Sequence, residues 1–348
     1  MHRVFALLKT QWGNGRSWVT FMRAAVMASV CVFSGCGTAP EQHSVTSQGF
    51  RFDLQPQIFK FADGGQTTYY DIQIGQPYPA QPVLIILGGA GCARGSEALR
   101  AFLDGINQPV KVWMMEKRGV QNTLLGNSAA RQTSDCTAEY HEHAYAVRIV
   151  DDQIEFIRNR LKTLATQALR PVILLGISEG GMIAPAVAQS LLEVTHVAMV
   201  SAGGMSLRDE LAVLVKKHRE AIDVPTIVNA IRNNSSDAQT LLWGNSVRWW
   251  GSFLDYSSIP YVTQLRQPFL VAFGGQDTSV PVESGFFLRS HAMRIGKKNL
   301  TLMIYPEANH YLVDQQWDYR PDFLATLLRW VRTGQASPSR ARIYANTP

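Results

Sequence analysis

The chain has 348 residues, of which 46% are hydrophobic and 17% are charged, so it can bury a large core and does not have the composition of a disordered protein. Its net charge is +6, but four Lys and Arg residues within 1–35, where Asp and Glu are absent, leave a net charge of only +2 for the remainder. This distribution excludes a strongly basic surface, and no nucleic-acid partner is predicted.

The N-terminal segment combines positive charge with a short apolar run. Arg16 and Arg23 precede apolar residues 24–33, a length that is too short to span a bilayer but typical of a signal peptide. The run ends in Phe-Ser-Gly-Cys, which resembles the bacterial lipoprotein signal. The resemblance implies a signal peptide over 1–36, lipidation of Cys36 and a polar tether over 37–48. It also implies a lipid-anchored protein of the bacterial envelope, in the outer membrane or facing the periplasm.

Other interpretations of this segment stay open. Phe33 stands where lipoprotein signals prefer leucine, and Met22 is an alternative start that leaves a more ordinary signal. A short uncleaved anchor and a signal cleaved at another position are the alternatives to lipidation.

From residue 50 onward, predicted strands alternate with predicted helices. Residues 50–61 and 67–74 predict an antiparallel hairpin. Continuous apolar runs then predict six strands buried on both faces. These runs are Val83–Leu87, Val110–Met115, Val172–Leu175, Val197–Val200, Leu270–Phe273 and Leu302–Tyr305. Helical patterns cover Ala138–Lys162, Gly180–Leu192 and Phe323–Val331. The alternation predicts an α/β fold with a mostly parallel central sheet and helices on both faces.

Residues 206–260 interrupt this alternation. They contain helical patterns at Leu207–Ala221 and Pro225–Asn233 but no clear strand. We interpret them as a helical lid insertion over the carboxyl ends of the strands, where the active sites of open α/β sheets lie. Its aromatic side chains are candidates either for contact with an apolar substrate or for packing within the lid. These residues are Trp243, Trp249, Trp250 and Phe253.

A Gly-x-Ser-x-Gly motif directly follows one predicted buried strand and opens a helix. In Gly176-Ile177-Ser178-Glu179-Gly180 the chain turns sharply, so a side chain at either glycine would collide with neighbouring backbone. The N-terminus of the following helix favours developing negative charge. The motif therefore predicts Ser178 as a nucleophile.

The order of these elements and motifs resembles the α/β-hydrolase superfamily over residues 67–332. Ser-Glu-Gly-Gly at 178–181 and the aromatic segment at 250–256 are similar to the bacterial esterase and lysophospholipase-like branch, which is related to serine aminopeptidases. The resemblance implies a hydrolase domain over 49–333 with its lid at 206–260. Residues 334–348 are then expected to form a flexible C-terminal tail.

The family order places an acid after a late strand and a histidine after the last one. Asp277 lies 99 residues after Ser178, in a Gly-rich turn, and His310 lies 33 residues after Asp277. Ala308 stands where the family usually has glycine two residues before the histidine. The resemblance implies that His310 takes the proton of Ser178 as general base and that Asp277 orients the imidazole.

The tetrahedral intermediate of such a reaction needs an oxyanion hole. The resemblance implies that the backbone N–H of Glu179 is one donor. The second donor is expected in the Gly-rich loop after Val83–Leu87, where Gly88 replaces the usual histidine. Ala90 aligns with the donor position, and Gly91 is the second choice.

Two cysteines, Cys92 and Cys136, lie outside the signal peptide. Export to an oxidising compartment favours a disulfide between them, and two separate buried thiols are the alternative. Arg118 belongs to a Glu-Lys-Arg-Gly segment that resembles the family's Asp-x-Arg-Gly turn, and we interpret it as structural. Asp151 and Asp152 are interpreted as a solvated helix face.

No cofactor or metal is expected. His141 and His143 are two residues apart and therefore lie on different faces of a helix. The Gly-rich loop at 88–91 lacks the lysine of a phosphate-binding loop.

The sequence predicts a serine hydrolase that cleaves an acyl bond of a small-molecule substrate, with a carboxylic ester favoured, through an acyl-serine intermediate. A serine aminopeptidase-like enzyme is one alternative, and it would need a carboxylate near the substrate amine. The candidates for that carboxylate are Glu179, Asp209, Glu210 and Asp255. A non-catalytic binding lipoprotein on a hydrolase scaffold is the other alternative.

Overall fold

The computed structural model describes residues 54–92, 99, 102–104, 106, 108–120, 136–164 and 169–345. The predicted signal peptide over 1–36, with Cys36, and the predicted tether over 37–48 lie outside the described residues. Within the described ranges, no helix is both long enough and apolar enough to cross a membrane.

The strands of the described chain have the following bounds. They are β1 Pro56–Lys60, β2 Gln66–Ile74, β3 Val83–Leu87, β4 Val110–Met115, β5 Val172–Ile177, β6 His196–Val200, β7 Leu241–Leu242, β8 Asn245–Ser246, β9 Phe269–Gly274, β10 Leu300–Tyr305 and β11 Arg342–Ala345.

One large sheet has the strand order β1-β2-β4-β3-β5-β6-β9-β10-β11. The pairs from β4 to β10 are parallel, whereas β1, β2 and β11 join it through antiparallel pairs. The predicted hairpin and the six predicted buried strands are confirmed. Almost every residue of these six strands is buried, as the continuous apolar runs require.

The helices that the structure describes are α1 Ala138–His143, α2 Ala146–Leu161, α3 Glu179–Gln189, α4 Leu207–His218, α5 Val224–Arg232, α6 Val247–Phe253, α7 Ile259–Gln264, α8 Val282–Arg294 and α9 Arg320–Thr333. The prediction of one helix over Ala138–Lys162 is wrong, because α1 ends before α2 begins. Tyr145 is extended at the break, and the Ala146 N–H donates to Ser252 Oγ at 3.0 Å. This contact with a distant segment satisfies a backbone group that the break releases from the helix.

Helices cover both faces of the sheet. Phe323 and Leu327 of α9 pack in one cluster with Ile173 and Leu175 of β5. Gly176 points to the opposite face, where a Cβ would lie 2.2 Å from the Gly180 carbonyl oxygen of α3. Because α3 starts directly after β5 and lies against it, the residue between the two elements is held at the carboxyl edge of the sheet.

The segment between β6 and β9 contains α4 to α7 and a short hairpin formed by β7 and β8. The sequence predicted α4 and α5. It did not predict the short helices α6 and α7, or the hairpin, whose strands are two residues long. Trp243 and Gly244 form its turn with φ values of 48° and 86°, the backbone that two-residue hairpin turns require.

The C-terminal segment departs from its prediction. Residues 334–348 were expected to be a flexible tail, but β11 pairs with β10 from Thr301 to Ile304. Arg289 of α8 also donates to the carbonyl oxygens of Tyr344 and Ala345. The prediction is therefore wrong for residues 342–345, where main-chain pairing orders a segment that has no long apolar run.

Candidate active site

Ser178 lies in the turn between β5 and α3. Its φ of 54° and ψ of −118° are rare for a residue with a side chain. A Cβ on Gly180 would lie 2.2 Å from the Leu87 carbonyl oxygen, so glycine lets the helix approach β3 closely. The strained turn places the hydroxyl above the carboxyl edge of the sheet, as the Gly-x-Ser-x-Gly motif predicts.

A hydrogen-bonded chain connects Ser178, His310 and Asp277. The distance from His310 Nε2 to Ser178 Oγ is 3.1 Å, and that from His310 Nδ1 to Asp277 Oδ2 is 2.8 Å. The other oxygen of Asp277 accepts the backbone N–H groups of Ser279 and Val280. Because the carboxylate is held by two backbone donors, the imidazole tautomer that donates from Nδ1 is favoured, and Nε2 is left to accept the serine proton.

A hydrogen bond from the segment after β6 holds the loop that carries His310. Ser201, at the end of β6, donates its hydroxyl to the His310 carbonyl oxygen at 2.7 Å. Burial lowers the pKa of His310, but the charge and hydrogen bond of Asp277 outweigh it, so the net shift of this pKa is upward. Sequence reasoning missed Ser201, and its position directly after a buried strand was the available signal.

The Gly-rich loop after β3 lies beside Ser178. A Cβ on Gly89 would lie 3.4 Å from Ser178 Cβ and 3.9 Å from its Oγ. Glu179 is the first residue of α3, so its backbone N–H has no acceptor within the helix. The backbone of Gly89, which precedes Ala90, and the N–H of Glu179 thus lie beside the serine, where the resemblance had placed the oxyanion hole.

Gly91 is held in a different role. Its N–H donates to Tyr140 Oη at 2.9 Å, so the prediction of Gly91 as the second-choice oxyanion donor is wrong. The next residue, Cys92, forms a disulfide with Cys136, and their Cα atoms are 5.6 Å apart. The predicted disulfide is therefore present, and it ties the Gly-rich loop to the start of α1.

Comparison with known sequences gives short matches. The chain is 33% identical to a carboxymethylenebutenolidase-like protein of Salmonella typhimurium over 85 residues, which cover 22% of this chain and 30% of that protein. It is 29% identical to the acylamino-acid-releasing enzyme of Homo sapiens over 85 residues, 24% of this chain and 11% of that enzyme. The matches thus span less than a third of the length of these relatives. No family model matches the chain.

Comparison with solved structures covers most of the chain. An esterase of Pyrococcus furiosus matches with a TM-score of 0.55 at 13% identity, over 82% of this chain and 92% of that one. Est1E of Butyrivibrio proteoclasticus matches with a TM-score of 0.52 at 14% identity, over 80% of this chain and 98% of that one. The acylaminoacyl peptidase of Pyrococcus horikoshii matches with a TM-score of 0.53 at 13% identity, over 82% of this chain and 42% of that one.

The chain has the α/β-hydrolase fold. In this fold the Glu-Lys-Arg-Gly turn after β4 carries two cations that behave differently. The Arg118 guanidinium donates to both oxygens of Asp152 at 2.8 and 2.9 Å and to Asp63 at 3.0 Å. The structural interpretation of Arg118 therefore agrees with its contacts. The prediction of a solvated Asp152 is wrong, because this carboxylate is buried against Arg118.

Lys117, the other cation of this turn, points toward the candidate site of the hydrolase fold. Its Nζ lies 2.7 Å from Glu179 Oε1, and Trp249 Nε1 of α6 donates to Glu179 Oε2. Sequence reasoning had assigned no role to Lys117 and had not predicted its contact with Glu179.

The aromatic residues of the insertion pack mainly against each other. Ring centroids are 5.2 Å apart for Trp243 and Trp250, and 5.0 Å for Trp249 and Phe253. Phe253 has no exposed surface, which favours packing within the lid, one of the two alternatives, for this residue. Trp249 and Trp250 are also buried, and the Nε1 of Trp250 donates to the Leu242 carbonyl oxygen at 2.7 Å.

A buried carboxyl group of the insertion lies near the triad. Glu210 of α4 is 2% exposed and accepts the Ser284 hydroxyl at 2.7 Å. Burial raises its pKa to about 8; the Ser284 hydrogen bond opposes this shift, and the Asp277 charge adds to it. Glu210 is therefore largely protonated at neutral pH.

Among the residues that the structure describes, no group of three or more His, Cys, Asp or Glu side chains is arranged to hold a metal ion. His141 is buried and packs edge-on against the Tyr140 ring, with 5.3 Å between ring centroids.

Proposed function

We propose that this protein is a serine hydrolase that cleaves carboxylic esters through an acyl-serine intermediate. The observation that carries the proposal is the continuous chain from Ser178 Oγ through His310 to Asp277, with distances of 3.1 and 2.8 Å. A serine hydroxyl is a weak nucleophile until a positioned base takes its proton.

The proposed reaction has two steps. Ser178 Oγ attacks the ester carbonyl while its proton passes to His310 Nε2, and the imidazolium then gives that proton to the departing alcohol. Water, activated by the same histidine, hydrolyses the acyl-serine and restores the enzyme. Asp277 stays ionised throughout and stabilises the imidazolium.

The oxyanion of both tetrahedral intermediates would be bound by backbone donors. In our proposal these are the N–H groups of Ala90 and Glu179, which flank Ser178. Such donors stabilise charge that is present in the transition state and absent from the ground state, so they lower the barrier itself.

Two observations favour an ester over a substrate with a free N-terminal amine. One matched structure is named an esterase, and the short sequence matches include carboxymethylenebutenolidases. Two of the four carboxylates suggested for amine binding are already paired with cations, since Glu179 contacts Lys117, and Asp255 pairs with Arg208 and Arg232. A carboxylate that is neutralised by a resident cation is a poor anchor for a second one.

The test treats the full chain, purified in detergent, with a fluorophosphonate probe and with p-nitrophenyl acetate and butyrate. We expect labelling and turnover in the wild type and their loss in Ser178→Ala. The matched control is Ser190→Ala, an exposed serine at the other end of α3, which should behave as the wild type.

The other outcomes select the alternatives. Turnover of aminoacyl p-nitroanilides at higher kcat/KM than the esters would replace the ester proposal with a peptidase. A folded wild type that is neither labelled nor active would contradict catalysis and favour a binding lipoprotein.

We also propose that the protein is anchored in the bacterial envelope by lipid on Cys36. Support comes from the signal-like segment before Cys36 and from the disulfide, which fits an oxidising compartment. Cells fed labelled palmitate should incorporate label into the wild type and Cys31→Ser, but not into Cys36→Ser. Equal labelling of the two variants would contradict lipidation at this cysteine.

A further inference from the structure

A buried ion pair lies directly behind the nucleophile turn. Lys117 Nζ and Glu179 Oε1 are 2.7 Å apart, and their side chains are 11% and 1% exposed. Burial alone lowers the pKa of Lys117, but the Glu179 carboxylate raises it by more, so the net shift is upward and the ammonium stays charged. Glu179 follows Ser178 in the sequence, so this pair connects the turn after β4 to one of the two proposed oxyanion donors.

Lys117 also contacts the Gly-rich loop. Its Nζ donates to the Gly89 carbonyl oxygen at 2.5 Å and to the Gly91 carbonyl oxygen at 3.4 Å. In a trans peptide unit the C=O and the N–H point in opposite directions. A cation that holds the Gly89 carbonyl therefore fixes the direction of the Ala90 N–H, which belongs to the same peptide unit and points away from Lys117.

The rest of the loop is held by other groups. The Gly91 N–H is donated to Tyr140, and Cys92 is bonded to Cys136. These contacts fix the C-terminal end of the loop, whereas Lys117 is the side chain that holds the Gly89 carbonyl. The orientation of the Ala90 N–H thus depends on one buried ammonium group.

We propose that Lys117 is a positioning residue for the oxyanion hole, which it assembles by holding the Gly89–Ala90 peptide and the Glu179 side chain together. The inference rests on the proposed function, because it assigns Lys117 to the acyl-transfer step. Lys117 does not touch the reacting atoms and acts through the Ala90 N–H.

The kinetic consequence differs from that of a substrate-binding residue. A misdirected oxyanion donor weakens binding of the transition state more than binding of the ester, so kcat falls while KM changes little. Complete loss of one oxyanion donor lowers kcat by about 10²- to 10³-fold. A donor that is present but misaligned should cost less, roughly 10- to 100-fold.

The experiment compares Lys117→Met with Lys111→Met in the full chain. Lys111 lies on β4 and pairs with Asp71 at 2.7 Å, so the control removes an ion pair from the strand that precedes the Lys117 turn, away from the site. We expect Lys117→Met to lose roughly 10- to 100-fold in kcat for p-nitrophenyl butyrate with KM within about twofold. A trifluoromethyl ketone, which adds to Ser178 and forms an oxyanion, should bind more weakly by the same factor. Lys111→Met should match the wild type in both assays.

A double variant guards against a folding defect. Lys117→Met leaves the Glu179 carboxylate buried without its cation, which destabilises proteins strongly. Lys117→Met/Glu179→Gln removes both charges and retains an oxygen that can accept from Trp249. If the inference is correct, this variant unfolds at a temperature near that of the wild type and still shows the low kcat and weak ketone binding.

The outcomes separate this inference from the proposed function. A wild type without Ser178-dependent turnover overturns both. An active wild type together with Lys117 variants that match Lys111→Met in kcat and ketone affinity overturns the positioning role alone. A folded double variant that regains wild-type kcat overturns it as well, because the Gly89 carbonyl would then need no ammonium.

Discussion

The two sides of Ser178 are built in different ways. On the triad side, Asp277 and His310 follow the neighbouring strands β9 and β10 and contact each other directly. On the oxyanion side, a backbone loop is held by Lys117, by Tyr140 and by a disulfide, which come from three separate segments. The side chains of the proposed triad thus meet because of the strand order, whereas the proposed oxyanion donors depend on buried side chains that orient their backbone.

The largest effect is expected on the triad side, from Asp277→Asn. The asparagine oxygen can still accept the N–H groups of Ser279 and Val280, which leaves its NH₂ group facing His310 Nδ1. The imidazole is then held in the tautomer that cannot accept the Ser178 proton. We expect kcat to fall by about 10⁴ with the fold intact. Steady-state kinetics and circular dichroism check this, and a loss below about tenfold would contradict the triad assignment.

The next effect concerns the oxyanion side, through Cys92→Ser/Cys136→Ser. The bond joins residues 44 apart in the sequence, and the chain-entropy model gives it about 4 kcal/mol of stability. We expect the urea midpoint to fall accordingly, with no change for Ser190→Ala. Wild type treated with a reductant should unfold at the midpoint of the double variant. Equal midpoints for the oxidised wild type and the variant would rule out a stabilising bond.

A smaller effect is expected from Glu210→Gln and depends on pH. The folded pKa of about 8 lies above the ordinary 4.5, so the folded protein keeps a proton that the unfolded chain releases. The stabilisation that protonated Glu210 provides is complete below its unfolded-state pKa. It is lost as the pH rises through the folded-state pKa of about 8. The wild type should lose about 1.4 kcal/mol per pH unit relative to Glu210→Gln between pH 5 and 7. Urea unfolding at pH 5, 6 and 7 measures this, and parallel pH dependences would show that Glu210 is ionised when folded.

The smallest expected effect is a shift in the pH dependence of kcat/KM. It tests the contrast between the triad side and the oxyanion side of Ser178. The pKa of His310 is raised from 6.5, whereas Lys117 stays charged, so pH in the neutral range acts on the triad side. Because the base must be neutral, kcat/KM should rise tenfold per pH unit until it levels off above pH 6.5. An acidic limb centred below 6.5 in the wild type would show that Asp277 does not raise this pKa.

The structure brings Ser178, Asp277 and His310 together, and each of them carries a local signal in the sequence. Ser178 lies between a buried strand and a helix, and Asp277 and His310 follow buried strands in turns. The oxyanion donors were expected from the Gly-rich loop and from the position of Glu179, but the side chains that hold that loop gave no such signal. Lys117 and Arg118 are adjacent cations of one turn, and only tertiary packing sends the first to Glu179 and the second to Asp152.

Burial of individual carboxylates was also beyond the sequence. Asp209 and Glu210 are adjacent on α4, but the first lies near the surface and the second is 2% exposed. Helical periodicity places adjacent residues on different faces of the helix, but for two adjacent carboxylates it does not indicate which face packs against the core. The break between α1 and α2 was missed because it depends on a tertiary contact. The Ala146 N–H donates to Ser252, which lies more than a hundred residues further along the chain.

The pairing of β11 with β10 has a consequence for association between molecules. Open sheet margins expose unpaired backbone groups, to which a strand of another chain can add. Residues 342–345 occupy this margin beside β10, the strand that leads into the His310 loop. β11 therefore covers the outer edge of β10, and proteolytic removal of residues 342–345 would expose that edge to intermolecular β-pairing and aggregation.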